Sequence, residues 1–270
     1  MKCFTGEVKR VGAIVPVEND CKFNYEIIDD EFVCNWLNAH DLGNVEYVSS
    51  HIPEGIDVYA SEFEYCEHLA AEDVLSTAAY DLRKRECNSV VWGCTIASFY
   101  RGVRYAERQV QLLSESAAVP ASSTSMAFLA AVDVLKAQRV DVVSPYNTPE
   151  VAQMLISFFS EVGISVGSVW HMERSGSARI FDIDCEAELA KFVSSRPLSD
   201  DPILIPCTEI SSLERLESFE KISGRPVLTA NQVTLWHGLV LAGLTPNILD
   251  AGSFLRSYAQ PGGPASRSFD

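Results

Sequence analysis

The chain has 270 residues, enough for two compact α/β lobes of ordinary domain size. Hydrophobic residues make up 47% of it and charged residues 21%, which predicts a packed core and excludes an intrinsically disordered chain. The formal net charge of −16 argues against a nucleic-acid partner, because binding to a phosphate backbone requires clustered lysine and arginine side chains.

Apolar runs that are typical of buried strands alternate with segments of helical periodicity along the whole chain. Strands are predicted, in chain order, over 10–16, 45–50, 90–92, 119–125, 140–147, 163–169, 203–205 and 227–231. Helices are predicted over 25–37, 63–85, 98–116, 126–137, 151–162, 185–193, 213–223 and 233–242. Because strands and helices alternate, we expect an α/β protein whose sheets are parallel and flanked by helices.

The first predicted strand ends in a loop that contains Asn19. Ligands of open parallel sheets bind at the carboxyl ends of the strands, which makes Asn19 a candidate for substrate binding. Asparagine is also common in turns, so turning the chain is the alternative role for this residue.

The same dipeptide follows two of the predicted strands. Cys94-Thr95 and Cys207-Thr208 each follow an apolar run, and a helical segment is predicted to begin directly after each pair. Backbone amides and the positive end of a helix dipole favour the thiolate at such a position. This context favours a functional role for both cysteines. Four other cysteines are interpreted as small core residues: Cys34, Cys66, Cys87 and Cys185.

The two cysteines lie about half a chain length apart, and the surrounding pattern repeats with them. Each half contains a strand with proline and a loop, then strand–Cys–Thr–helix, then a strand that ends in small polar residues before a long helix. The repeat predicts two similar lobes related by pseudo-twofold symmetry, with both thiols in the cleft between them. We assign 1–118 to the first lobe, joined by a carboxyl-terminal helix over about 232–258, and 119–231 to the second; 259–270 is expected to be a disordered tail.

Two opposed cysteines suit proton transfer or nucleophilic addition at a carbon next to a carboxylate. One thiolate removes a proton or attacks an alkene carbon, while the other thiol donates a proton from the opposite side. Thr95 and Thr208, with the amides beside them, are suited to bind carboxylate oxygens and to stabilise an enediolate. Neither a phosphate-binding nor a dinucleotide-binding glycine motif occurs, and neither CxxC nor HExxH, so we expect no cofactor and no metal.

The cellular setting is predicted from hydropathy and cysteine usage. The sequence has no apolar stretch of about 18 residues and no recognisable secretory signal, so we expect no membrane association. Its eight cysteines show no short-spaced framework, which favours the reducing cytoplasm.

Three stretches carry a family resemblance. They are Gly-Cys-Thr-Ile-Ala-Ser-Phe-Tyr-Arg-Gly at 93–102, Cys-Thr-Glu-Ile at 207–210, and the segment 224–243, which begins Gly-Arg-Pro-Val-Leu-Thr-Ala-Asn-Gln. With them the chain resembles the aspartate/glutamate racemase superfamily, in particular its branch of maleate cis–trans isomerases and arylmalonate decarboxylases. The resemblance implies a cofactor-independent enzyme that acts on a small mono- or dicarboxylate, and a homo-oligomer.

The resemblance also implies roles for individual residues. Cys94 corresponds to the nucleophile or to one proton-transfer thiol, and Cys207 to its partner. Tyr146 corresponds to a tyrosine that closes over the substrate. The remaining matches are substrate-binding positions: Pro16 and Asn19 in the loop after the first strand, and Thr95 and Thr208 as carboxylate or oxyanion binders.

Two departures from the family pattern refine this hypothesis. The decarboxylases lack the first cysteine, so the presence of Cys94 favours isomerase or racemase chemistry. The isomerases carry an Asp-Asn pair after the strand that corresponds to 163–169, whereas this chain reads Val-Trp-His-Met-Glu at 169–173. We therefore expect Trp170 or His171 to reshape the pocket for a larger substrate.

Our leading hypothesis is cofactor-independent cis–trans isomerisation of the maleate type. Racemisation of an amino acid or another α-substituted acid by the same two thiols is the first alternative. The second is decarboxylation of a malonate-type diacid, in which Cys207 protonates the enediolate. A non-catalytic binder of small acids is the alternative from a different functional class.

Overall fold

The computed structural model describes residues 7–17, 26–53, 61–146, 148–174, 179–196, 199–246 and 248–258. Asn19 and the predicted tail 259–270 lie outside the described residues. In the described part of the chain, no helix is both long and apolar enough to cross a bilayer.

The strands form two parallel sheets with the same internal order. The first sheet contains β1 (Lys9–Val17), β2 (Val45–Pro53), β3 (Ser89–Trp92) and β4 (Ala121–Ser123) in the order β2-β1-β3-β4. The second contains β5 (Arg139–Ser144), β6 (Ser165–His171), β7 (Ile203–Ile205) and β8 (Val227–Thr229) in the order β6-β5-β7-β8. The second order is the first shifted by four strands, which confirms the prediction of two similar parallel α/β lobes.

Helices cover both sheets. They are α1 (Asp30–Ala39), α2 (Glu62–Leu69), α3 (Glu72–Lys84), α4 (Thr95–Phe99), α5 (Val103–Ala117), α6 (Thr124–Val134), α7 (Pro149–Glu161), α8 (Cys185–Ser194), α9 (Leu216–Ser223), α10 (Ala230–Leu241) and α11 (Gly252–Tyr258). Two short 3-10 helices span Glu26–Ile28 and Ile180–Asp182.

Two predicted helices are each broken in two. The segment 63–85 forms α2 and α3, which are separated at Ala71, whose ψ of 135° is not helical. The segment 98–116 forms the end of α4 and most of α5, separated at Gly102. Gly102 has a φ of 82°, a left-handed conformation that glycine adopts without the steric cost of a side chain. The break leaves α4 as a short helix directly after Cys94.

The predicted boundary between the lobes at 118/119 requires correction. Strand β4 pairs in parallel with β3, with Val90 opposite Ala121 and Trp92 opposite Ser123, so it completes the first sheet. A three-residue strand has too little local signal to show which sheet it joins; the hydrogen-bond ladder decides this.

The carboxyl-terminal segment divides between the lobes. Helix α10 packs on α6, β3 and β4 of the first lobe. Gly238 permits this contact, because a β-carbon there would lie 2.7 Å from Val11 Cγ1. Helix α11 instead packs on α9 and β8 of the second lobe, which corrects the assignment of the whole of 232–258 to the first.

Candidate active site

One cavity is lined by the ends of strands from both sheets. Its lining residues are Val15, Pro16, Ile27, Ile28, Tyr65, Gly93, Cys94, Thr95, Ile96, Tyr146, Cys207, Thr208 and Glu209. The structure thus brings together all the predicted site residues except Asn19, which lies outside the described residues. Both cysteines come to this cavity from sequence-distant positions, as the repeat predicts.

Cys94 lies between the end of β3 and the first residue of α4, where it occupies the N-cap position. Only 7% of its surface is exposed. The preceding Gly93 donates its N–H to the Ile14 carbonyl at 2.7 Å. A β-carbon on Gly93 would lie 2.9 Å from both Ile27 Cδ1 and Val15 Cγ1. The close packing at position 93 therefore explains why a glycine precedes Cys94.

Thr95 presents a hydroxyl that is not used within the described part of the protein. The residue is 2% exposed, and its Oγ1 has no hydrogen-bond partner there. Its carbonyl accepts a hydrogen bond from Ser98 Oγ at 2.9 Å, and Ser98 Oγ accepts one from the Ser125 N–H at 3.2 Å. These contacts hold the backbone of Thr95, while the buried hydroxyl remains available to a ligand in the cavity.

Cys207 has different surroundings from Cys94, which corrects one prediction. No helix begins at Thr208; the chain forms turns, and α9 starts only at Leu216. The thiol is 2% exposed. Burial raises the pKa of Cys207 well above that of a free thiol, and the Glu209 carboxylate adds to this effect, while the nearby Tyr146 phenol and Glu209 backbone act in the opposite direction. Cys207 is therefore a protonated thiol at neutral pH, suited to donate a proton.

Tyr146 joins the two thiols electrostatically. Burial raises its pKa well above the usual value, and the nearby thiols of Cys207 and Cys94 both contribute. The backbone of Tyr146 is held on both sides: its N–H donates to Ser144 Oγ at 3.2 Å, and its carbonyl lies 2.7 Å from His171 Nδ1. These contacts hold the backbone of Tyr146, and its phenol is close enough to both cysteines for each to raise its pKa.

The expectation that Trp170 or His171 reshapes the pocket is not met. Neither is among the described residues that line the cavity. Trp170 Nε1 donates to Glu188 Oε2 at 3.0 Å, and the His171 ring contacts the Tyr146 carbonyl. His171 therefore reaches the site only through the backbone of Tyr146.

Sequence reasoning missed part of the cavity wall. Ile27, Ile28 and Tyr65 come from helical segments whose place over the strand ends has no local signal. Glu209 directly follows the second Cys-Thr pair, and this position next to the motif is a signal that could have identified it. Among the described lining residues, the groups that can donate hydrogen bonds to a carboxylate are the hydroxyls of Thr95, Thr208 and the tyrosines and the backbone amides.

Comparison with known proteins places this site in a family. A sequence model of arylmalonate decarboxylase matches residues 62–255, more than half of the chain. The chain belongs to the arylmalonate decarboxylase family. This family member is also 26% identical to a maleate isomerase of Pseudomonas putida over 197 residues, which cover 70% of this chain and 78% of the relative. The resemblance seen in the sequence is thereby confirmed.

Solved structures agree with the family assignment. The maleate isomerase Iso from Pseudomonas putida S16 superimposes with a TM-score of 0.76 at 23% identity. The superposition covers 93% of this chain and 100% of the isomerase. A mutant of the Nocardia farcinica maleate cis-trans isomerase with a covalently bound succinylcysteine intermediate has a TM-score of 0.76 at 20% identity, with 92% and 98% covered. The arylmalonate decarboxylase family member therefore shares the two-lobed fold of these enzymes.

Proposed function

We propose that this protein is a cofactor-independent cis–trans isomerase of a maleate-type small carboxylate, with Cys94 and Cys207 as its reacting groups. The observation that carries the proposal is that one cavity is lined by both cysteines and by Tyr146. The similarity to maleate isomerases, one of which holds a succinylcysteine intermediate, supports the same chemistry.

In the proposed reaction the Cys94 thiolate adds to one alkene carbon of maleate and forms a carbon–sulfur bond. The alkene electron pair moves toward the adjacent carboxylate as an enediolate, and the Cys207 thiol protonates the neighbouring carbon. The product is a succinyl thioether on Cys94, whose central carbon–carbon bond is single and can rotate. Cys207 then takes the proton back, the carbon–sulfur bond breaks and fumarate leaves.

The surroundings of Cys207 suit this sequence. Burial and the nearby Glu209 disfavour its thiolate, so after donating a proton Cys207 is a strong base that recovers it from the adduct. We assign Thr95 and Thr208 to the substrate carboxylates and the developing enediolate. Pro16 and Tyr146 both belong to the cavity wall, and we assign Tyr146 to cover the reacting carbons, the role that the family resemblance implies. Asn19 is proposed as a further carboxylate contact on the basis of the family resemblance.

Proton NMR of the purified protein with maleate in deuterated water tests the proposal. We expect the maleate signal to be replaced by that of fumarate, without added metal or cofactor. Amino acids and aryl malonates are supplied in parallel. Deuterium incorporation at an α-carbon with no fumarate would support a racemase, and binding without turnover of any substrate would support a small-acid binder.

Decarboxylation is the second candidate, favoured by the family model that matches the chain. It requires only one protonating thiol, for which Cys207 is suited. Release of carbon dioxide from an aryl malonate, with no conversion of maleate, would replace the isomerase proposal by this one.

Thr95→Val is expected to lower kcat/KM for maleate without lowering the stability of the fold. Valine keeps the shape of threonine but removes the buried hydroxyl that has no partner in the described structure. A hydrogen bond to a charged group contributes about 1.5–3 kcal/mol, so kcat/KM for maleate should fall by about 10- to 100-fold. The midpoint of thermal unfolding should be unchanged or higher, because no hydrogen bond of the folded state is lost. Unchanged kinetics would exclude Thr95 from substrate binding.

We further propose that the enzyme acts in the cytoplasm as a homo-oligomer. The six cysteines in the described part of the chain are free, which supports this compartment.

A further inference from the structure

Glu26 is a buried carboxylate that joins the first lobe to the segment following Cys207. It lies in the 3-10 helix Glu26–Ile28 and is 6% exposed. The Leu213 N–H donates to its two oxygens at 2.9 and 3.1 Å, and Asn231 Nδ2 donates to Oε2 at 2.8 Å. Burial raises the pKa of Glu26, and these hydrogen bonds act in the opposite direction. The carboxylate is therefore stabilised by protein donors and not by water.

The same 3-10 helix also contacts the segment of the first cysteine. Ile27 packs on Gly93, directly before Cys94, so closely that a β-carbon on Gly93 would lie 2.9 Å from Ile27 Cδ1. The Ile27 carbonyl accepts a hydrogen bond from Tyr47 Oη of β2 at 2.7 Å. The 3-10 helix is thus fixed to the first sheet and touches both cysteine segments.

The segment after Cys207 depends on such contacts because residues 206–215 form neither helix nor strand. Its Ile210 carbonyl accepts a hydrogen bond from Asn231 Nδ2 at 3.0 Å, and Ser212 Oγ lies 2.8 Å from Thr229 Oγ1. Asn231 therefore holds Ile210 and Glu26 with one amide nitrogen. Side-chain hydrogen bonds take the place of the regular backbone ladder in this segment.

We propose that Glu26 is a positioning residue, which ties the Cys207 segment to the 3-10 helix that packs on Gly93 and thereby sets the spacing between the two thiols. The proposal rests on the proposed function, since it matters for turnover only if both thiols react. A mutation far from the chemistry that misplaces a reacting group by about 1 Å can cost about 100-fold in rate.

The test compares Glu26→Gln with Glu161→Gln. Glutamine keeps the shape of Glu26, but with its oxygen at the Oε2 position its NH₂ group takes the place of Oε1, so the Leu213 N–H loses one of its two acceptors and faces another donor. Glu161 is an exposed residue that serves as the control for an inter-lobe carboxylate contact: it accepts the Val103 N–H at 2.8 Å and is not among the described residues of the cavity. We expect E26Q to lower kcat for maleate by about 10- to 100-fold with KM changed by less than about two-fold, and E161Q to change both by less than about two-fold.

Site-resolved alkylation by iodoacetamide gives a readout that does not depend on activity. In E26Q the alkylation rate of Cys207 should rise by about ten-fold, because its segment is less restrained. The rates of Cys87 and Cys185, whose pKa values burial raises to about 11 and about 12, should stay as in the wild type. A general loss of stability would instead raise the alkylation rates of all the buried cysteines together, and that result would overturn the proposal.

The two proposals fail in different ways. If the wild type does not convert maleate, the proposed function fails, and the alkylation rates still decide the role of Glu26. If the wild type converts maleate and E26Q has the same kcat and the same Cys207 reactivity, only the role of Glu26 is refuted. Should E26Q not fold, Glu26→Asp, which withdraws the carboxylate by one methylene, is measured in the same way.

Discussion

Cys94→Ser is expected to lower the rate of maleate isomerisation by at least about 1,000-fold while the fold is retained. Serine is close to cysteine in size, but its hydroxyl is hardly ionised at neutral pH and is a poor nucleophile toward an alkene. Proton NMR measures the loss of turnover, and circular dichroism with a thermal melt verifies folding.

Cys34→Ser is the matched control for this experiment. Cys34 is a half-buried cysteine of the first lobe outside the cavity, and its sulfur accepts the Tyr47 N–H at 3.3 Å, a role that a serine oxygen can take over. Its turnover should stay within about two-fold of the wild type, as for substitutions away from the chemistry. Full activity in the Cys94 variant would remove Cys94 from the mechanism.

Cys207→Ser is expected to have a similarly large effect on turnover, but with accumulation of an intermediate. Water can slowly protonate the enediolate after Cys94 has added, yet no thiolate at position 207 remains to remove that proton. The succinyl thioether on Cys94 should therefore persist. Mass spectrometry of the intact protein and of its peptides should show a substrate-sized increment on Cys94 and on no other cysteine.

The Nocardia farcinica isomerase provides a parallel, since a cysteine-to-serine mutant of that enzyme has a covalently bound succinylcysteine. Absence of any adduct here, with maleate turnover verified in the wild type, would rule out the covalent route and leave direct proton transfer between the thiols. A racemase would likewise form no adduct but would introduce solvent deuterium at the α-carbon.

Cys94→Gly separates the decarboxylase alternative from these outcomes. A decarboxylase needs only Cys207 as proton donor, and glycine at position 94 gives more room to the departing carboxylate. That reaction should therefore persist or improve in the variant, measured as carbon dioxide released from an aryl malonate, whereas isomerisation should be lost.

The sequence by itself determined the fold class and predicted the two cysteines that line one cavity. Strands rich in valine and isoleucine alternate with amphipathic helices, and a fully buried parallel sheet requires this pattern. Cys94-Thr95 and Cys207-Thr208 each follow an apolar run, at the carboxyl end of a strand in its own sheet, and ligands of parallel sheets bind at such ends. These signals are local in the chain, so the repeat could predict a cavity shared by both thiols.

Only the tertiary structure decided how that cavity is built. The pairing of β4 with β3, the contact of Tyr146 with Cys207 and the hydrogen bond from Leu213 to Glu26 each join residues far apart in the sequence. The second cysteine segment also lacks the helix that its likeness to the first predicted, because α9 begins only at Leu216. Without intrahelical hydrogen bonds, side chains from distant elements hold the Cys207 segment, and no local pattern specifies which ones.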